Sequence, residues 1–418
     1  MLGRKRGKVW MLAGAVVCLL VILLAATLAN QGSRRAVLDA VRRIRAPNTL
    51  VEGNPLISRN VPASSNFSDY PPARANDGDY STVWNSIATP TEQRPAWLAY
   101  DLSGVPAARR QTLDVAWYNG TGDYYQPDGA TFYNLPRDYT LEANSAPGGG
   151  EAPAQGWKTL VRVTGNTYSA RVHRVAFGGA SWLRISVTRV NGSPENMGAA
   201  LQMDVFDTAS LGNDTWLFAG DSITRDGMAP ANAATGPWPD GSYQQLINVQ
   251  RPTRYPLVID GGIGGMTMSW AAQHQDIIFA GYSPHFVAIS FGTNDENEDY
   301  LHSPEQVGEY YANLLRVVDG ALARGMTPVV PFVPWGCSGQ LGANAQAVND
   351  YVSAHLLKDR PQVIRGPNLW KLFHDHPTYI GKDCIHPTLQ AAPGQLSGYE
   401  AYQRAWRDTM LATVYRAG

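Results

Sequence analysis

Apolar strands alternate with helical stretches throughout the second half of the chain, and this pattern constrains the fold more than any other feature. Four nearly all-apolar strands are predicted, TWLFAG (215–220), YPLVID (255–260), HFVAISFG (285–292) and TPVVPFV (327–333). The clearest helix covers 303–325, with Ser303 as its N-cap and Gly325 at its end. This alternation is typical of a parallel sheet covered by helices on both faces. We therefore predict a three-layer, doubly wound α/β fold for residues 210–418.

Polar or glycine-rich segments follow these strands, at the edge of the sheet where active sites form in this architecture. The segments are GDSI (220–223), GGIGGMTM (261–268), GTNDEN (292–297) and, in the final loop, DCIHPT (383–388). Each segment alone is a weak signal, because the same residue types are common in turns and helix starts. Their joint occurrence in this order indicates one functional site.

With these four segments, residues 212–418 resemble the SGNH/GDSL-type hydrolases. The resemblance implies five site residues: the nucleophile Ser222, the oxyanion-hole donors Gly265 and Asn294, and the catalytic pair Asp383 and His386. The second segment begins after Asp260, where these hydrolases usually have an asparagine. This departure leaves Gly264 as an alternative to Gly265 for the backbone donor.

The chemistry of these residue types fits acyl transfer. A serine hydroxyl is a weak nucleophile until a base removes its proton, and His386 would do so for Ser222. Asp383 would hold the imidazole tautomer and stabilise its cationic form. The N–H groups of Ser222 and Gly265 and the Asn294 amide would stabilise the oxyanion. We predict hydrolysis through an acyl-Ser222 intermediate, without a metal or organic cofactor.

A different pattern occupies residues 47–209, where short strands are separated by Gly, Pro, Asn and Asp. In the strand at 181–190, Leu183 and Ile185 share one face, and polar residues occupy the other. Many short strands without a long helix predict an antiparallel β-sandwich.

Part of this region, residues 54–102, resembles the discoidin-like (galactose-binding-like) modules. The matching features are Ala63-Ser64-Ser65, the loop Asn76-Asp77-Gly78-Asp79 before Trp84, and Trp97 followed by Asp101-Leu102. The resemblance implies a structural calcium ion at this loop, with Asp77 and Asp79 as ligands. An ordinary Asx turn is the alternative explanation of the same two residues.

The same resemblance implies glycan binding through aromatic side chains in loops. The loop GTGDYYQPDGATFYN (120–134) is the candidate surface, with Tyr124, Tyr125 and Tyr133 as contact residues. The alternative is that this module only packs against the hydrolase domain or acts as a spacer.

The N-terminus combines a basic flank (1–8) with an uncharged, mainly apolar run (9–29). That run is long enough to span a bilayer as a helix. We expect a membrane anchor, a juxtamembrane stalk (30–46), and extracytoplasmic sandwich and hydrolase domains. The alternative is a signal peptide with a small-residue cleavage site at 27–29, which would give a secreted protein.

Of the three cysteines, Cys18 lies within the apolar run, and the other two lie beside the predicted site. In an oxidising compartment Cys337 and Cys384 would form one disulfide. That bond would hold the loop that carries Asp383 and His386. No CxxC spacing indicates a metal site.

Two further features near the site have more than one interpretation. Trp335 follows the fourth strand and is expected either to line the substrate cleft or to pack in the core. Asp295, Glu296 and Glu298 form an acidic run that we interpret as a solvated loop rather than a second catalytic pair.

The formal net charge of −1 gives no overall electrostatic attraction to nucleic acid. The leading hypothesis is a serine esterase that acts on an O-acyl, most simply O-acetyl, ester of an extracytoplasmic carbohydrate. Two alternatives stay open: an O-acyltransferase on surface glycans, and a glycan-binding surface protein with an inactive hydrolase domain.

Overall fold

The computed structural model describes residues 53–67, 70–80, 82–119, 123–127, 132–191, 198–228, 243–297, 303–391 and 395–415. The predicted basic flank, membrane span and stalk (1–46) lie outside the described residues. Within the described ranges, no helix combines the length and the apolar character that a membrane crossing requires. Residues Glu52–Gly418 form one compact unit.

The first part of this unit is an antiparallel β-sandwich, as the alternating pattern predicts. Its strands are β1 Ala63–Ser65, β2 Trp84–Asn85, β3 Ala96–Asp101, β4 Thr112–Tyr118, β5 Leu135–Asn144, β6 Lys158–Val163, β7 Ala170–Ala176, β8 Trp182–Asn191 and β9 Ala200–Asp207. One sheet has the order β1-β3-β8-β5-β6 and the other has the order β2-β9-β4-β7. Buried side chains such as Leu98, Trp117 and Ile185 fill the space between them.

The second part is an α/β domain with a parallel sheet. The strands are β10 Thr215–Gly220, β11 Leu257–Gly262, β12 Phe286–Ser290, β13 Thr327–Val330 and β14 Ile364–Arg365, in the order β11-β10-β12-β13-β14. The helices are α1 Thr208–Leu211, α2 Ser222–Met228, α3 Tyr243–Gln250, α4 Met268–Gln273, α5 Gln275–Ala280, α6 Thr293–Asn297, α7 Pro304–Ala323, α8 Gly339–Asp359, α9 Leu369–Asp375 and α10 Gly398–Thr413. The short edge strand β14 has no counterpart in the sequence prediction.

Different helices cover the two faces of this sheet, because neighbouring residues of a strand point to opposite sides. Leu217 and Ile259 belong to a buried cluster that includes side chains of α4, α5 and α7. Trp216 and Val258 belong to a second cluster that includes side chains of α9 and α10. The predicted three-layer α/β architecture is therefore confirmed.

The sandwich packs against the α/β domain through buried aromatic and polar side chains. The Tyr118 hydroxyl donates to the Val258 carbonyl oxygen at 3.1 Å. The Tyr80 hydroxyl donates to the Asp204 carboxylate and lies 3.0 Å from the Tyr255 hydroxyl. Burial raises the pKa of the Asp204 carboxyl group. Because these groups are hydrogen-bonded inside an apolar interface, they favour one arrangement of the two parts.

Candidate active site

Ser222 is the first residue of α2 and follows β10 through a tight turn. A Cβ at Gly220 would lie 2.6 Å from the Ser290 carbonyl oxygen, so the turn requires glycine. The buried Asp221 carboxylate accepts the Ile223 N–H at 3.0 Å. Burial raises the pKa of Asp221 to about 6, although this hydrogen bond acts in the opposite direction. The turn places the serine at the carboxyl edge of the sheet.

The structure brings Ser222, His386 and Asp383 into one hydrogen-bonded row. Ser222 Oγ lies 2.8 Å from His386 Nε2, and His386 Nδ1 lies 2.7 Å from Asp383 Oδ2. Because Asp383 accepts the Nδ1 proton, Nε2 is the acceptor for the serine hydroxyl. Partial burial raises the pKa of Asp383, but hydrogen bonds from His386 and Ile385 outweigh burial and leave this pKa below its ordinary value. The ionised carboxylate can therefore orient the imidazole as a general base.

The loop that carries Asp383 and His386 is held by a covalent bond and by backbone contacts. The predicted Cys337–Cys384 disulfide is present, with Cα atoms 4.7 Å apart. The Cys337 N–H donates to the Cys384 carbonyl oxygen at 3.1 Å, and the Gly381 N–H donates to the His386 carbonyl oxygen at 2.7 Å. Cys384 has a φ of 62°, which non-glycine residues rarely adopt. These contacts restrain the loop close to Ser222.

The glycine turn after β11 distinguishes the two possible backbone donors. The Met266 N–H donates to the Ile263 carbonyl oxygen at 3.4 Å, and Gly265 has a φ of 76°. The Gly264 N–H donates to Asp123 Oδ1 at 2.8 Å and is therefore engaged. In the part of the chain that the structure describes, no group accepts the Gly265 N–H. This difference favours Gly265 over Gly264 as the backbone donor, and its role in an oxyanion hole stays a prediction.

Asn294 and Asp295 hold the segment that follows this turn. The Asn294 amide donates to the Met266 carbonyl oxygen at 2.9 Å, and its second hydrogen can serve an oxyanion. The buried Asp295 carboxylate accepts the Met268 N–H at 2.9 Å. The interpretation as a solvated loop is therefore wrong for Asp295, because its charge is placed at the N-terminus of α4. Glu298 lies outside the described residues.

A small depression lies beside Ile385, the residue that precedes His386. Its lining residues are Thr293, Pro334, Trp335, Gly336, Leu341 and Ile385. The half-buried Trp335 ring also packs edge-on against His374, with ring centroids 5.8 Å apart. Trp335 is therefore packed at least in part, and its assignment to a substrate cleft stays a prediction.

The tyrosines proposed for glycan binding lie in different environments. Tyr124 is only 1% exposed, and its ring centroid lies 5.0 Å from that of Tyr168. The assignment of Tyr124 to a glycan surface is therefore wrong, because its ring fills the interface with the α/β domain. Tyr125 is half-buried against the same Tyr168 ring, whereas Tyr133 is 49% exposed.

The loop proposed for calcium is closed by its own hydrogen bonds. Asp77 accepts the Asp79 N–H at 2.8 Å and the Thr82 hydroxyl at 3.0 Å. Burial raises the pKa of Asp77 to about 6. Among the described residues, no group of three or more His, Cys, Asp or Glu side chains could hold a metal ion. The Asx turn accounts for this loop, and calcium binding at Asp77 and Asp79 stays a prediction.

Sequence reasoning does not identify the charged pair Asp123 and Arg225, which lies beside the site. Arg225 Nη1 lies 2.8 Å from Asp123 Oδ1, and Arg225 Nε lies 2.6 Å from Asp226 Oδ1. Burial lowers the pKa of the Arg225 guanidinium, but the two carboxylates outweigh burial and raise it. Because 102 residues separate Asp123 from Arg225, no local pattern indicates that they meet.

Residues 218–392 match the GDSL-like Lipase/Acylhydrolase family. The matched range contains the five residues discussed above: Ser222, Gly265, Asn294, Asp383 and His386. No curated protein matches the chain. The family match supports a GDSL-type hydrolase domain, which is an esterase class, in the C-terminal part of the chain.

Several solved structures are similar to parts of this chain. An acetyl xylan esterase from Geobacillus stearothermophilus is 19% identical, with 47% of this chain and 94% of that chain covered and a TM-score of 0.35. A GDSL-like lipase from Bacteroides thetaiotaomicron is 18% identical, with 48% and 89% covered and a TM-score of 0.35. Chitosan-binding module 1 of a chitosanase/glucanase from Paenibacillus sp. IK-5 is 18% identical, with 36% and 97% covered and a TM-score of 0.25.

Proposed function

We propose that this GDSL-type hydrolase domain is a serine esterase that hydrolyses an O-acyl ester, most simply an O-acetyl ester, on an extracytoplasmic carbohydrate. The observation that carries the proposal is the row of hydrogen bonds from Ser222 Oγ through His386 to Asp383. A hydroxyl, an imidazole and an ionised carboxylate in this geometry form a nucleophile, a general base and an orienting group.

The proposed reaction has two steps. Ser222 Oγ attacks the ester carbonyl carbon while His386 Nε2 takes its proton, and the C–O bond to the sugar then breaks as His386 returns the proton to the leaving hydroxyl. The Gly265 N–H and the Asn294 amide stabilise the oxyanion in this step. Water then attacks the acyl-Ser222 ester with His386 as base, which releases the carboxylic acid and restores the serine.

Apolar side chains close to the proposed base support an acyl ester as the substrate. Pro334, Trp335, Leu341 and Ile385 line one small depression, and Ile385 directly precedes His386 in the chain. An acyl group placed there would bury apolar surface, which favours binding.

Carbohydrate recognition and location rest on separate features of the chain. The discoidin-like motifs of the sandwich and the exposed Tyr133 support a glycan as the carrier of the ester. The apolar run at 9–29 supports membrane anchoring or export. The Cys337–Cys384 disulfide supports an oxidising, extracytoplasmic compartment.

The test is acetate release from aryl acetates and from a panel of O-acetylated glycans by the full chain. We expect release by the wild type and by Ser269→Ala, a control whose hydroxyl accepts the Gln273 amide on α4. Release should be lost in Ser222→Ala. Acetyl transfer to an added sugar in preference to water would favour an acyltransferase, and no turnover of any ester would favour an inactive, glycan-binding domain.

A further inference from the structure

A carboxylate from the β-sandwich reaches the hydrolase site. Asp123 lies between β4 and β5, in the described segment 123–127. One oxygen, Oδ1, lies 2.8 Å from Arg225 Nη1 and accepts the Gly264 N–H at 2.8 Å. Arg225 lies one turn after Ser222 on α2, and Gly264 directly precedes the oxyanion donor Gly265. Asp123 therefore joins the helix of the nucleophile to the turn of the oxyanion donor.

The segment around Asp123 is itself fixed against the α/β domain. The Tyr124 N–H donates to the Gly262 carbonyl oxygen at 3.1 Å. The Tyr124 ring is buried beside Tyr168. The Gln126 amide donates to Asp123 Oδ2 at 3.3 Å, so the second carboxylate oxygen is also engaged. The segment is therefore held by further contacts besides those of Asp123 Oδ1.

Gly264 packs closely against this contact. A Cβ at Gly264 would lie 2.7 Å from Arg225 Nη1 and 3.2 Å from Asp123 Oδ1. The hydrogen bond to Asp123 fixes the orientation of the peptide before Gly264. The Gly265 N–H belongs to the next peptide, which is joined to this one through the Gly264 Cα, so anchoring Gly264 also restricts the position of that N–H. Oxyanion donors are effective only when they are oriented before charge develops, and a small displacement can cost about 100-fold in rate.

We propose that Asp123 is a positioning residue of the esterase site, and that the β-sandwich is therefore part of the catalytic unit. Asp123 acts through Gly264 and Arg225 and does not touch the reacting atoms. This inference rests on the proposed esterase function. It predicts that the sandwich contributes to kcat even with a small substrate that has no sugar.

The test compares Asp123→Ala and Asp123→Asn with the wild type in the full chain, using an aryl acetate. We expect kcat to fall by about 100-fold in Asp123→Ala, with KM within about twofold, because the turn loses its anchor. Asp123→Asn keeps an acceptor oxygen for the Gly264 N–H, so its kcat should fall by only about 10-fold. Asp138→Asn is the matched control, because Asp138 Oδ1 also accepts a glycine N–H, from Gly165 at 2.7 Å, and an arginine N–H, from Arg189 at 3.0 Å.

A second measurement separates this inference from the proposed function. Hydrogen exchange of the Gly264 amide should be faster in Asp123→Ala than in the wild type and in Asp138→Asn. A wild type with no esterase activity would contradict the proposed function. The exchange measurement would still show whether Asp123 holds the Gly264 N–H. An active wild type with unchanged kcat and unchanged Gly264 exchange in Asp123→Ala would overturn the inference, as would an equal fall of kcat in Asp138→Asn.

Discussion

His386 Nδ1 lies 2.7 Å from Asp383 Oδ2, although the aspartate side chain is 51% exposed. Two backbone N–H groups, of Ile385 and His386, also donate to Asp383 Oδ1 at 3.1 Å each. These contacts fix the carboxylate without deep burial. The orientation of the imidazole therefore depends on the loop itself.

Asp383→Asn should lower kcat by about 10³-fold or more, because an amide at this position favours the wrong imidazole tautomer. KM for an aryl acetate should change little. Asp375→Asn is the matched control, since Asp375 lies 3.3 Å from the ring of His374 in an exposed pair. Steady-state kinetics of the two variants checks this prediction, and an equal effect in both variants would contradict it.

Loss of the Cys337–Cys384 disulfide should loosen the loop that carries Asp383 and His386. We expect Cys337→Ser to lower the free energy of unfolding by about 2–4 kcal/mol and to lower kcat. Reductant should also lower the free energy of unfolding and kcat of the wild type. It should leave both quantities unchanged in Cys337→Ser. Denaturant unfolding and kinetics with and without reductant measure both effects. A reduced wild type with full activity and stability would disagree with this role.

Asp260 is buried at the end of β11 and accepts the Gly262 N–H at 2.9 Å. Burial raises the pKa of Asp260 well above its ordinary value, and the neighbouring carboxylates of Asp226 and Asp123 act in the same direction. The folded state therefore holds a proton that the unfolded state releases above about pH 3.9. Stability from this group is greatest below that pH and falls as pH rises through the folded-state pKa.

Asp260→Asn should remove this pH dependence, because the amide resembles the protonated carboxyl group. We expect the variant to be more stable than the wild type, by a margin that grows from about pH 5 to about pH 8. Asp408→Asn is the control, because this aspartate is largely exposed. Its stability difference from the wild type should not grow with pH. Urea unfolding at the two pH values measures it, and a constant difference would be inconsistent with a proton held by Asp260.

Asn294→Ala should lower kcat by about 10²–10³-fold, as expected for the loss of one oxyanion donor. The variant also loses the hydrogen bond to the Met266 carbonyl oxygen. The free energy of unfolding should fall by less than the activation free energy of the reaction rises. Thermal unfolding and steady-state kinetics measure the two changes. A variant that keeps wild-type kcat would exclude Asn294 from the oxyanion hole.

Much of the fold is predicted from the sequence, because helix caps and strand alternation depend on residues that are close together in the chain. The capping box of α7 is one example: Ser303 Oγ accepts the Gln306 N–H, and the Gln306 side chain accepts the Ser303 N–H at 3.0 Å. Strand alternation likewise predicts the sandwich and the parallel sheet. The site segments are found because parallel strands end at one edge of a sheet.

Contacts between distant segments are not predicted. Asp123 and Gly264 are 141 residues apart, and nothing near either residue indicates the other. Tyr124 looks like an exposed loop aromatic until the packing of the two parts is known. Asp295 looks solvated for a similar reason, because its partner, the Met268 N–H, lies 27 residues away in sequence.

The most direct test of the account is the identification of the acylated residue during turnover. The full chain is mixed with an aryl acetate, quenched in acid within the first turnover and analysed by peptide mass spectrometry. We predict one acetyl group on Ser222, none on Ser269, and no acetylated protein in Ser222→Ala. Ester hydrolysis at the wild-type rate by Ser222→Ala, or an acetyl group carried by another residue on the catalytic timescale, would contradict the account.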